Sequence, residues 1–99
     1  MESIYTDCRY FVSYSGVKLP LNLVNELVDS DRDNRNTYFR AYYDNQQRLI
    51  RCEKLVYGEC ELLHLYSYYD NGALQRAEIT DADGETNLLL FDISGNPVA

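Results

Sequence analysis

The sequence predicts a mainly β domain, with a β-rich α+β arrangement as the variant. The expected form is an antiparallel meander of six to seven strands with an N-terminal hairpin. Three observations carry this. From residue 37 onward, runs rich in Tyr, Leu, Val and Ile alternate with short polar turn clusters. Two of those clusters, Asn71-Gly72 and Asp83-Gly84, are favoured hairpin pairs, because a type I′ turn needs positive φ at both central residues. An aromatic-Asp step also recurs where runs end: Tyr43-Asp44-Asn45-Gln46-Gln47-Arg48-Leu49, Tyr69-Asp70-Asn71-Gly72-Ala73-Leu74 and Phe91-Asp92-Ile93-Ser94-Gly95-Asn96-Pro97.

Taken in order, Arg9 to Tyr14 is dense in aromatic and β-branched residues, Ser15-Gly16 signals a turn and Val17-Lys18-Leu19 returns. That reads as a hairpin ending at Pro20, which has no N–H for a ladder. Leu21 to Val28 carries apolar residues at 21, 23, 24, 27 and 28, a spacing that suits one short helix but also a strand continued through Leu23. Residues 29–36 hold no apolar position and must form an exposed loop. Strands are then expected at Thr37–Asp44, Arg48–Val56, Glu59–Tyr69, Ala73–Thr80 and Glu85–Asp92. Their connectors are Asn45-Gln46-Gln47, Tyr57-Gly58, Asn71-Gly72 and Asp83-Gly84.

Turn position sets pairing, and pairing sets the faces. Centred on these turns, the meander places Leu49, Leu55, Cys60, Leu62, His64, Tyr66, Tyr68, Ala77, Ile79, Leu88 and Leu90 on a core face. Ile50, Cys52, Leu63, Leu65, Leu89 and Phe91 fall on the other face, with Lys54 opposite Glu61, Cys52 opposite Leu63 and Ser67 opposite Arg76. The second face is too apolar to stay wet, so the reading expects a partner protein or self-association to cover it, or the sheet to curl. In this register Cys52 and Cys60 point to opposite faces and cannot bridge.

The chain has 99 residues, one domain spanning 1–99, with 16 acidic against nine Lys and Arg and a formal charge of −7. Such a surface disfavours nucleic acid and anionic membrane, which both recruit positive charge. No stretch of about 18 apolar residues and no charged, apolar leader is read, so the expectation is a cytoplasmic chain without membrane segment or signal peptide. Three cysteines, an odd number with no metal-type spacing, are expected as thiols, as small buried hydrophobes.

The aromatic-Asp turns resemble the YD repeat of Rhs-type and teneurin-type proteins: Tyr43-Asp44 followed by Arg48-Leu49 and the later Gly58, with Gln47 where the repeat has glycine. The second copy is one residue shorter at its turn. Between two and three copies cannot enclose the shell that long arrays build, so no shell function is implied. The whole chain, including Tyr10-Phe11-Val12-Ser13-Tyr14-Ser15-Gly16-Val17-Lys18-Leu19-Pro20-Leu21, also resembles a family of small bacterial proteins of unknown function. That resemblance implies a bacterial origin and a single domain, and no functional residues.

Candidate chemistry is sparse. Asp29-x-Asp31-x-Asp33 opens like an EF-hand calcium loop, but the sixth position is Asn34 and the twelfth Arg40, so a solvated linker is expected and neither metal nor cofactor is assigned. His64, the sole histidine, has no nucleophile beside it in sequence, and Arg51 opposite it would lower its pKa. Asp44, Asp70, Asp81, Asp83 and Asp92 sit at strand ends, where Asp caps turns. Ten tyrosines make a biased aromatic set, and Tyr42, Tyr43, Tyr66, Tyr68 and Tyr69, with His64, are the candidate binding residues near one end of the meander. The reading is a non-enzymatic, acidic protein-interaction domain, immunity- or antitoxin-like or homodimeric. The alternative is a small-ligand or enzymatic domain using His64 and the sheet tyrosines.

Overall fold

The computed structural model describes residues 7–16, 19–28 and 35–98. Among these, eight strands form one antiparallel sheet and no helix occurs: β1 (Asp7–Ser15), β2 (Asn22–Leu27), β3 (Thr37–Tyr43), β4 (Leu49–Val56), β5 (Glu59–Tyr68), β6 (Leu74–Thr80), β7 (Thr86–Phe91) and β8 (Pro97–Val98). Spatial order is β2-β1-β3-β4-β5-β6-β7-β8, so each neighbour beyond the N-terminal hairpin is also the next in sequence. The short helix considered for Leu21 to Val28 is strand β2, paired with β1 from Ser15↔Asn22 to Tyr10↔Leu27. Its apolar residues pack on a sheet edge instead of forming a helical stripe. Pro20 lies outside the strands, as its missing N–H requires. The expected return at Val17-Lys18 and the Asp29-x-Asp31-x-Asp33 segment lie outside the described residues.

The sheet is curled. A single flat layer is about 10 Å thick, yet the smallest extent of the molecule is 30 Å. Leu21, at the β2 edge, sends its N–H to the hydroxyl of Tyr66 on β5 at 3.3 Å. Four strand spacings of about 4.8 Å separate β2 from β5 in a flat sheet, a gap that one tyrosine cannot span. Curling brings Leu19, Leu21 and Leu23 over the concave face, where they pack on a core that includes Phe11, Phe39, Leu49, Cys52, Tyr66 and Leu74. Ala41 and Ala77, fully buried in that face, are small enough to let this segment lie close.

The turns repeat one geometry. Asp44, Asp81 and Asp92 each donate a backbone N–H to the carbonyl four residues on, and accept on their own carbonyl the N–H three residues on. Each Asp carboxylate also takes the N–H groups two and four residues ahead. The residue three beyond the Asp carries positive φ: Gln47 at 61°, Gly84 at 85° and Gly95 at 89°. Tyr69–Ala73 follows the same backbone pattern with Tyr69 in the Asp position and Asn71 accepting from Ala73. These are three-residue loops closing on a left-handed residue. The two-residue geometry expected of Tyr57-Gly58 is present, with both φ positive at 51° and 82° and Val56 opposite Glu59, but Asn71-Gly72 and Asp83-Gly84 lie in the longer loops.

That substitution of turn type corrects the register. With β6 and β7 joined through Asp81–Glu85, Ala77 faces Leu89 and Arg76 faces Leu90, one residue away from the two-residue-turn expectation. Leu89 and Phe91 therefore share the concave side, and Leu88 and Leu90 the convex side. A bulge between Lys54 and Leu55 puts Cys52 opposite His64, Lys54 opposite Leu62 and Arg51 opposite Leu65. Cys52 is accordingly a concave core residue, while Leu55, opposite Tyr38, is buried on the convex side. A further bulge between Ser67 and Tyr68 restores the expected Ser67↔Arg76 pair. All three cysteines are thiols; Cys52 is buried, but Cys8 and Cys60 are exposed and not core residues.

Candidate functional site

The candidate residues separate into distinct places. On the convex face, Tyr42 stands between two guanidiniums, with Arg40 at 5.8 Å and Arg51 at 6.0 Å from its ring centroid. Both arginines converge on Glu53, at 2.8 and 3.3 Å. Glu53 is buried; desolvation pushes its carboxyl up, but the Arg40 hydrogen bond and charge, joined by Arg51, outweigh that and hold it below the usual carboxylate range. Tyr10 and Tyr38 stack edge-on beside this cluster. Every charge in it is paired, which makes it a brace between β3 and β4.

His64 and Tyr66 are buried in the concave core. The Tyr66 hydroxyl lies 2.6 Å from His64 Nδ1 and accepts the Leu21 N–H. The Leu21 N–H takes one of the oxygen's lone pairs; with the hydroxyl assigned as donor to Nδ1, the neutral imidazole carries its proton on Nε2. Burial pushes the His64 pKa down and that of Tyr66 up. The depression expected from Arg51 has a different origin, since Arg51 faces Leu65. Cys52, across from His64, has its thiol pushed up to about 12, first by burial and then by Glu53 and Cys60. A protonated, buried thiol is a poor nucleophile.

Tyr68 and Tyr69 stitch the repeated turns together. The Tyr68 hydroxyl donates to the Leu49 carbonyl and its ring lies under Arg48, while Tyr69 donates to the Phe91 carbonyl at 2.8 Å. Asn71 adds a bond from its amide to the Ile93 carbonyl at 3.1 Å. Tyr43 turns to the concave side under Arg9. The tyrosines are thus brought to one end of the sheet but spent on its construction, divided between two faces. No group of three or more His, Cys, Asp or Glu side chains able to hold a metal occurs among the described residues.

What sequence reasoning placed on the wrong side is the C-terminal edge. Leu88, Leu89 and Leu90 are 50, 40 and 42% exposed, so β7 shows apolar side chains on both faces. On the concave side the strand borders a groove of about 770 Å³ whose lining includes Leu19, Pro20, Tyr68, Leu74, Leu89 and Phe91. The clue in the sequence was the Asp-x-x-Gly spacing at residues 81–84, which sets the register of these leucines.

The model of the Family of unknown function (DUF6156) matches residues 3–99. The chain belongs to that family. The match covers the β1–β2 hairpin and the meander together. No curated protein and no solved structure matches the chain. No helix among the described residues is long and apolar enough to cross a membrane.

Proposed function

We propose that this DUF6156 chain is a non-enzymatic protein-interaction domain whose contact surface is the C-terminal edge of the sheet. The observation that carries the reading is the run Leu88-Leu89-Leu90, exposed on both sides of a strand at the margin of an apolar groove. Contiguous exposed apolar surface of this kind is characteristic of interaction sites. The groups an enzyme of this size would draw on support the reading by their condition: His64 is buried against Tyr66 and the Cys52 thiol is raised and enclosed. An immunity- or antitoxin-like role, in which a small acidic protein covers another protein, is one concrete form.

The reading is tested by affinity capture from the native host with the wild-type chain and with the Leu88→Glu/Leu90→Glu double variant, both checked for unchanged urea midpoints. The expected result is a protein retained by the wild type and lost by the variant. Identical capture by both overturns the assignment.

A further inference from the structure

Resting on that interaction reading, we infer that the partner presents an extended strand, apolar with flanking Lys or Arg, that adds to the outer edge of β7 beside Thr86–Leu88. Two observations select this occupant. β8 pairs only with Leu90 and Phe91, so among the described residues Thr86–Leu88 have no strand on that side. At alternate residues their N–H and C=O groups point outward, the template for strand addition. The charge around them is one-sided. From residue 77 to the end the chain carries Glu78, Asp81, Asp83, Glu85 and Asp92 and no Lys, Arg or His. The nearest cation, Arg76, is held by Glu78 at 2.6 Å.

An added strand would send alternate side chains toward Leu89 and the groove and toward Leu88 and Leu90, while its cations meet the carboxylates at either end of β7. A second copy is disfavoured, because the same five carboxylates would face each other. The opposite edge is less suited: Asn25, in β2, has φ of 61°, a kink that interrupts regular pairing.

The test uses two nine-residue peptides, Lys-Lys-Val-Leu-Thr-Val-Leu-Lys-Lys and the same peptide with Glu for every Lys, titrated into the full chain while amide shifts and exchange protection are followed. The basic peptide should bind, protect amides within Thr86–Leu88, bind at least about tenfold more tightly than the acidic one, and weaken about tenfold between low and high salt. Glu85→Lys should weaken it severalfold with the fold intact. Equal binding of both peptides, or protection at Asn22–Leu27 instead, overturns the inference. Concentration-dependent protection of Thr86–Leu88 without peptide would assign the edge to a second copy and also overturn it. If neither peptide binds while the Leu88/Leu90 variant still loses a captured protein, strand addition falls and the interaction reading stands; if that capture is unchanged as well, both fall.

Discussion

Strands β4 and β7 invert the usual relation between composition and burial. β4, Leu-Ile-Arg-Cys-Glu-Lys-Leu-Val, has three charged residues among eight, yet Leu49, Cys52, Glu53 and Leu55 are all buried. β7, Thr-Asn-Leu-Leu-Leu-Phe, has no charge and no buried residue. The difference lies in what covers each strand. β4 sits mid-sheet under the segment from Leu19 to Leu23 on one side and the Tyr10, Tyr38, Tyr42 and arginine layer on the other. β7 has a two-residue neighbour at its edge and an open groove beside it. Burial in a one-sheet protein is thus decided by position and by overlying layers, and apolar residues left outside that cover are available to another molecule.

The largest expected effect tests this directly. Phe39→Ala in the covered region should cost about 3–5 kcal/mol, a large share of the stability of a domain of this size, whereas Leu89→Ala should cost less than about 1 kcal/mol. Urea denaturation of the two variants measures the gap. Similar losses would mean that the concave face is closed over β7 as tightly as over β3.

The hydrogen bonds that tie Leu21 to the concave face give an intermediate effect. Tyr66→Phe leaves the Leu21 N–H and His64 Nδ1 without their shared hydroxyl and should cost about 1–3 kcal/mol. The same site sets a pH dependence. His64 has a lowered pKa when folded, so between its folded and unfolded values the unfolded chain binds the extra proton and stability rises with pH. Stability from this group is therefore complete above about pH 6.5, the ordinary histidine value, and declines as pH falls below it toward the folded pKa. His64→Gln should flatten that slope in urea midpoints measured across the window. Asp44 acts lower: desolvation raises its carboxyl, but the N–H groups of Arg48 and Gln46 and the Arg48 guanidinium outweigh this, so its contribution is lost only as pH falls through a value below the usual carboxylate range.

Strand positions were legible because turn residues punctuate them; all five strands expected after residue 37 lie within a residue at each end of those observed. The faces were legible only where no extra residue intervened. Leu63 and Leu65 lie where the alternation put them, but the bulge at Lys54/Leu55 moved Cys52 inward, and no local feature of that segment announces a bulge. The C-terminal faces failed for a different reason: Asp83-Gly84 satisfies a two-residue turn as a dipeptide, yet the Asp81 carboxylate, accepting two N–H groups, selects the longer loop. β2 was ambiguous because its cover comes from curling, a tertiary effect with no signature in its own six residues.

The smallest expected effect separates the two ends of the meander at one backbone angle. The loop entering β4 places Gln47 at φ 61°, where the equivalent loops around β7 use Gly84 and Gly95. A side chain there costs about 1 kcal/mol in the folded state, while glycine adds about 0.5–1 kcal/mol of chain entropy to the unfolded state. Gln47→Gly should therefore stabilise by at most a few tenths of a kcal/mol, and Gly95→Gln, at the wider φ of 89°, should destabilise by more than that. Urea midpoints of both variants give the sign. Destabilisation by Gln47→Gly would mean that the Gln47 side chain contributes more in its loop than its backbone angle costs, and that the equivalence of the two loops stops at the backbone.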